Sequence, residues 1–334
     1  MIFLLHEWLE NWWLHFGAGR RLATLLARRE GRLVAVLPLL EQRERIHGIP
    51  VTTLRSTTNP HSCRFNALCA PGCEAAMEAI WDHLAKRSRP WHAIILEDVP
   101  SDAPLLAPML RAAARDGAPV GVWHGGDVPY LTIEGSWETY HGALSQKFRA
   151  NLRRRRNQLR EHGEVSYRCV TAPAEVPEAL RAGFKLEGSG WKDQEGSAIA
   201  SDPNLVSFYE SWARVAAARG WLGLSFLDVD GTPVAFDYST IHDGRYYNMK
   251  IGYDPAYGRY SVGQLLKEDI LRHCFEGGVG EYDFLGISTM SKEDWKPKPR
   301  VHEWHFVYAP SALGRLLHFL KFTATPLLRR LTER

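Results

Sequence analysis

The chain has 334 residues, of which 45% are hydrophobic and 24% charged, with a formal net charge of +3. This is a globular composition on a length that exceeds one hydrophobic core, so two domains sharing an interface are expected, and the charge is too small to specify a partner. No apolar run reaches the roughly 20 residues that span a bilayer, residues 1–16 place Glu7 and Glu10 among apolar positions with no basic stretch ahead of them, and the five cysteines are odd in number. The expectation is a cytoplasmic protein with reduced thiols and no signal peptide.

In chain order, Trp8, Leu9, Trp12, Trp13 and Phe16 recur at helical intervals and predict a short amphipathic helix. A hairpin follows, with Leu22 to Ala27 and Leu33 to Leu40 flanking Arg29-Glu30-Gly31. Helices near 74–86 and 105–116 alternate with strands at 93–96 and 120–123, and Pro129 to Ile133 crosses into a second lobe, with the boundary near residue 126. Lys147, Arg149, Arg153, Arg154, Arg155, Arg156 and Arg160 form the densest charge cluster; positions 149, 153, 156 and 160 share one helical face, while Phe148, Leu152 and Leu159 lie on another. That face is either simply solvated or an anion site, since arginine forks suit phosphates. Three apolar runs, Trp221 to Val229, Pro233 to Ile241 and Arg245 to Tyr253, are punctuated by Asp230-Gly231 and Asp243-Gly244, the pattern of an antiparallel meander. A glycine-bearing loop opens a helix from about Ser261 to Phe275, and a strand follows at Glu281 to Leu285. The run Leu313 to Leu331 predicts a basic amphipathic helix that docks on the protein body or, in a second reading, lies on a membrane surface.

Strand, glycine loop and helix in this order put free backbone N–H groups beside a sheet, where a phosphate is held. Gly258 and Gly263 bracket Arg259-Tyr260-Ser261-Val262, with Gln264 next, and these seven residues are the expected donor-binding loop; the alternative is a plain strand-to-helix turn capped by Ser261. His61, Cys63, Cys69 and Cys73 match no familiar zinc spacing, so no metal is expected, and no GXSXG, P-loop or HEXXH motif occurs.

The segments Asp230-Gly231-Thr232-Pro233-Val234-Ala235, Gly252-Tyr253-Asp254, Ser261-Val262-Gly263-Gln264-Leu265-Leu266 and Tyr282-Asp283-Phe284-Leu285-Gly286, with Lys292 and Trp295 behind them, resemble GNAT superfamily acyltransferases of the CelD-like or FemABX-like branch. Phe148 to Arg154 and Leu186 to Lys192 extend the likeness, which covers about residues 130–305. The loop departs from the usual GNAT pattern, with Gly258 ahead of the arginine and only Gly263 after it. The resemblance implies a mixed α/β (α+β) fold of two GNAT-like lobes, each a mainly antiparallel mixed sheet flanked by helices: residues 1–126, residues 127–310 with the acyl donor, and a C-terminal helix at 311–334. It implies an N-acyltransferase that uses an acyl-CoA thioester as co-substrate, with no permanent cofactor, and an amine acceptor, free or linked to a nucleotide or sugar, held between the lobes. A FemABX-type aminoacyl transferase using charged tRNA, and a non-catalytic partner in a polysaccharide or envelope assembly, are the alternatives; DNA is not expected.

An amine must lose a proton as it attacks a thioester, so a carboxylate or imidazole is sought near the donor. Asp283, Glu187, Asp237 and His242 are the candidates for the base. By analogy with the family, Lys292 helps to hold the donor, Tyr253 and Tyr247 protonate the leaving thiolate, and the arginine helix with Arg153 flanks the cleft. Trp191, Lys192, Asp237, His242, Tyr247 and Arg153 are the candidates for substrate contacts.

Overall fold

In the computed structural model, which describes residues 1–86, 91–102, 104–189 and 198–326, the expected glycine turns are formed. Asp230 and Gly231 have φ of 48° and 74°, and Asp243 and Gly244 have 51° and 68°, the left-handed pairs that close two-residue hairpins without splaying the strands. His47 and Gly48 close a further hairpin in the same way, one that the polar flanks of its strands had hidden.

Two compact units form, residues 3–127 with 300–334 and residues 128–299 with the first two residues. The first begins with α1 (His6–Phe16), β1 (Arg21–Leu22), β2 (Leu25–Arg29), β3 (Arg32–Leu37), β4 (Leu39–Ile46), β5 (Ile49–Ser56) and β6 (Leu68–Cys69). It continues with α2 (Ala76–Ala85), β7 (Ala93–Pro100), α3 (Ala107–Arg115) and the start of β8 (Val120–Thr132). Strands β4 and β5 pair antiparallel and β5 pairs parallel to β7, while β2, β3 and β6 make a small separate sheet. Its core gathers Leu37, Leu54, Trp81, Ile94, Leu96 and Met109.

The second unit carries α4 (Trp137–Ala143), α5 (Gln146–Arg160), β9 (Val165–Val170), α6 (Val176–Glu187), α7 (Pro203–Ala218), β10 (Leu222–Val229), β11 (Thr232–His242) and β12 (Arg245–Tyr253). It ends with α8 (Val262–Glu276), β13 (Glu281–Asp283) and the single turn α9 (Met290–Glu293). Its strands lie in the order β8, β13, β12, β11, β10, β9. All eight residues of β10 are buried, as a strand covered on both faces must be. Leu152, Leu159, Leu227, Leu265, Ile270, Tyr282 and Trp295 belong to one core cluster.

Residues 300–310, expected with the second lobe, belong instead mainly to β14 (Lys298–Tyr308), which pairs antiparallel with β7 and so completes the first unit's sheet. The C-terminal helix α10 (Ala312–Phe319) starts at Ser311, whose hydroxyl accepts the Gly314 N–H. Residues 327–334, the end of the expected amphipathic helix, lie outside the described residues. Among the described residues no helix is long and apolar enough to cross a membrane, and no cluster of His, Cys, Asp and Glu is arranged to hold a metal ion.

Candidate active site

The site originates in the way two strands part. Strand β12 pairs parallel with β13 only from Arg245 opposite Glu281 to Tyr247 opposite Asp283, and then runs on alone on that side as far as Tyr253. Beyond Asp283 the chain turns away through Leu285 and Gly286, whose φ values of 47° and 60° are left-handed. Backbone that would have been covered by a neighbouring strand is thereby opened, and a cavity of about 660 Å³ lies against it.

Four parts of the second unit line this cavity: Ile251, Gly252 and Tyr253 at the end of β12 with Asp237 of β11, the first turns of α8, the α5 face, and Met290 with Ser291 of α9. The register explains the first group, since Asp237 stands opposite Ile251 and Phe236 opposite Gly252. Gly252 is required by packing: a Cβ there would lie 2.5 Å from the Glu187 backbone, so this glycine lets α6 pack on β12.

Helix α8 begins abruptly. Asp254 caps a 3₁₀ turn over Pro255–Tyr260 by accepting the Ala256 N–H, Ser261 then takes a left-handed φ of 50°, and the helix starts at Val262 with no side-chain cap. In place of the alternative reading, a plain turn capped by Ser261, there is a sharp reversal that leaves the helix end bare. The first N–H groups of a helix have no intrahelical acceptor, and here Ser261, Val262 and Gly263 border the cavity with the positive end of the helix dipole. A Cβ at Gly263 would meet nothing within 4 Å, so the space above it is open to a ligand.

Gly258, Ser261, Val262, Gly263 and Gln264 of the expected loop line the cavity; Arg259 and Tyr260 do not. The Arg259 guanidinium stacks over the Tyr260 ring, and the Tyr260 hydroxyl bonds His162 Nε2, which braces the loop against the end of α5. Gln264 spends its side-chain amide on the protein: Nε2 donates to the Ser291 carbonyl at 2.8 Å and Oε1 accepts from Trp295 Nε1 at 2.7 Å. It fastens α9 to α8 and holds up one cavity wall.

On α5 the polar residues that line the cavity are Lys147, Asn151 and Arg155, a row at spacings of four, with Phe148 beside them. Arg153, the expected contact, is exposed and off the cavity, because the burial of Phe148, Leu152 and Leu159 turns its position outward. Arg156 is turned the other way, donating to Asp269 and Glu268 at 2.9 to 3.0 Å and to the Leu265 carbonyl. The arginine cluster therefore divides: one arginine holds α5 to α8 and another faces the cavity with Lys147.

The candidate bases separate in the same way. Asp283 is fully buried and its Oδ1 accepts the Leu285 N–H at 3.0 Å, so it fixes the turn after β13 without lining the cavity. The buried Glu187 accepts the Ile199 N–H at 2.8 Å and anchors that turn to α6. His242 packs edge-on against Trp221, and Tyr247 is buried in β12; neither lines the cavity. Lys292 Nζ donates to the carbonyls of Leu285 and Ile287 at 2.6 and 2.8 Å, clamping the segment that turns away from β12. Trp191 and Lys192 lie outside the described residues.

Asp237 does line the cavity, at 2% exposure, with Oδ1 accepting the Tyr246 hydroxyl at 2.7 Å and Oδ2 accepting from Asn248. Burial lifts its carboxyl to about 7, outweighing the Tyr246 hydrogen bond, the charge of Lys267 and the Asn248 hydrogen bond, which favour the ionised form. Lys267 borders the same cavity, and burial lowers its ammonium to about 8 although Asp237 pulls the other way. The sequence reading overlooked Lys267. The signal was present: Gly263, Lys267, Ile270 and Cys274 form one row along α8, and three small or apolar members place the lysine on the inner face. Tyr253 lines the mouth and is 41% exposed, so it is a wall residue open to solvent.

Comparisons with known proteins bear on the fold. Residues 146–297 match the family model of an acetyltransferase (GNAT) domain. The second half of the chain thus carries a GNAT-like domain, and the fold of the whole chain is shared with solved structures of low sequence identity. The solved structure of FemX superposes with a TM-score of 0.61 at 12% identity, covering 94% of each chain. The C-terminal domain of a putative lysylphosphatidylglycerol synthetase from Agrobacterium fabrum gives 0.55 at 14%, covering 96% of this chain and 91% of the other. L-PGS from Bacillus licheniformis gives 0.53 at 12%, covering 95% and 96%. No curated protein matches the sequence.

Proposed function

We infer that this protein is an N-acyltransferase that takes an acyl group from a CoA thioester and delivers it to an amine. The observation that carries this reading is the cavity at the parted β12 and β13, walled at one end by the bare N-terminus of α8 and the α5 cations Lys147 and Arg155. A helix end with an open glycine and two flanking cations suits a pyrophosphate, and the exposed edge of β12 offers backbone groups to an extended amide-bearing arm. The match to an acetyltransferase domain over the same residues supports the same reading.

Transfer requires the amine nitrogen to form a bond to the acyl carbon while the C–S bond breaks with its electron pair on sulfur. The surplus proton on nitrogen passes to the Asp237 carboxylate and from there to solvent; the thiolate takes a proton from solvent. A base is most useful when its pKa lies near the working pH, and of the carboxylates proposed from the sequence Asp237 is the one that faces the cavity, poised at about 7.

Gly263→Val tests the donor. Because the position faces open space and needs no left-handed φ, the variant should fold with its melting temperature nearly unchanged while CoA affinity, measured by calorimetry, falls by tenfold or more. Unchanged affinity in the folded variant removes the cradle. Titration with tRNA separates the alternative: binding that weakens with salt at a log–log slope of about −0.7 per phosphate contact, and that is lost in a Lys147→Ala, Arg155→Ala double variant, would favour the aminoacyl-tRNA donor instead.

A further inference from the structure

Lys267 has an ammonium group in a place where an ammonium is costly. Its residue is 7% exposed, it lines the cavity, and its Nζ stands 4.9 Å from the centre of the Phe284 ring. Among the described residues it makes no hydrogen bond and no ion pair. Asp237 is close enough to act on it electrostatically, but the carboxylate oxygens are engaged by Tyr246 and Asn248. The charged groups that bear on Lys267 are Asp237 on β11 and Lys292 on α9. The three N–H donors of Lys267 have no acceptor among the described residues and border a ligand-sized cavity, so an oxygen of a bound ligand is placed to accept from them.

The neighbouring carboxylate narrows the kind of oxygen. A ligand carboxylate at this position would face the Asp237 carboxylate whenever the latter is ionised. A carbonyl oxygen is neutral in the ground state and gains negative charge only as the carbon is attacked, so it meets no such repulsion and draws most on the ammonium when the charge develops. Resting on the acyl-CoA reading above, we propose that Lys267 receives the carbonyl oxygen of the acyl group and stabilises the oxyanion formed as the amine attacks, which makes it a catalytic residue.

Proton linkage on binding tests this without knowledge of the acceptor. Acetyl-CoA and CoA are titrated at pH 8 by calorimetry in two buffers of different ionisation enthalpy. A carbonyl oxygen on the ammonium raises its pKa, so acetyl-CoA should take up a fraction of a proton, at most about one half for a group half-titrated at that pH, beyond whatever CoA takes up. The difference should vanish in Lys267→Met and in Lys267→Gln, while both variants still bind CoA. Lys267→Met should also melt at a higher temperature than the wild type, since a lone buried ammonium is replaced by an apolar chain of similar length. Equal uptake with the two ligands in the wild type, or a difference that persists in the variants, overturns the assignment and leaves the CoA reading standing. A wild-type chain that binds neither ligand removes the donor reading itself.

Discussion

Asp237 is ionised at a cost that the unfolded chain does not bear. Its folded-state carboxyl sits at about 7 against an ordinary 3.8, so between those values the folded protein holds a proton that the unfolded chain has released, and stability falls as pH rises through that window. The groups that bear on it are Lys267 and Cys274 on α8, Tyr246 on β12, Tyr282 on β13, and Tyr167 and Cys169 on β9. Asp237→Asn mimics the protonated acid, so its melting temperature relative to the wild type should climb by several degrees between pH 4 and pH 7 and be least favourable at the acid end. A flat difference across that range would show that the carboxylate is no more costly folded than unfolded. Residue identity alone put Asp283 and Glu187 beside Asp237 as candidates, yet those two are engaged by backbone N–H groups at turns and do not line the cavity. Sequence shows that a carboxylate ends a strand; it does not show whether a nearby N–H has already claimed it.

At the scale of elements, α5 illustrates how far spacing reaches. Its apolar stripe was legible, and Phe148, Leu152 and Leu159 are its buried residues. Which cations would face solvent, partner or cavity was not, because all seven look alike until α8 is packed alongside. Arg156 lies between Glu268 and Asp269, and removing it strands two largely buried carboxylates. Arg156→Ala should therefore cost about 1 to 3 kcal/mol in denaturant unfolding, whereas Arg153→Ala, at an exposed position, should stay within about 0.5 kcal/mol. Equal effects would contradict this division of the helix. The α8 start shows the complementary case: the glycine and the helix boundary were readable from local chemistry, while the left-handed Ser261 that leaves the helix end bare was not.

For the whole molecule, the two compact units each have their own core, and the return of the chain after residue 299 matters most to the first. Strand β14 joins β7, and α10 follows it with Leu317 fully buried. Phe322 then packs edge-on against Trp123 and Phe306, and Lys321 lies over both of those rings. Phe322→Ala should cost about 2 kcal/mol or more, less than a fully buried phenylalanine, measured by the unfolding of the full chain; a negligible loss would mean that this segment merely rests on the surface. The sequence by itself determined the features that depend on neighbouring residues: the Asp-Gly hairpins, the glycine-led start of α8, the buried stripe of α5 and the likeness to acyltransferases. Only the tertiary structure decided which side chains form the site. Strands β12 and β13 separate after three paired residues, and that separation is a long-range event, set by where β13 stops and Lys292 draws the chain aside. Whether a carboxylate or a lysine then faces the opening depends on strand parity and helix packing across the sheet, and no local pattern encodes either.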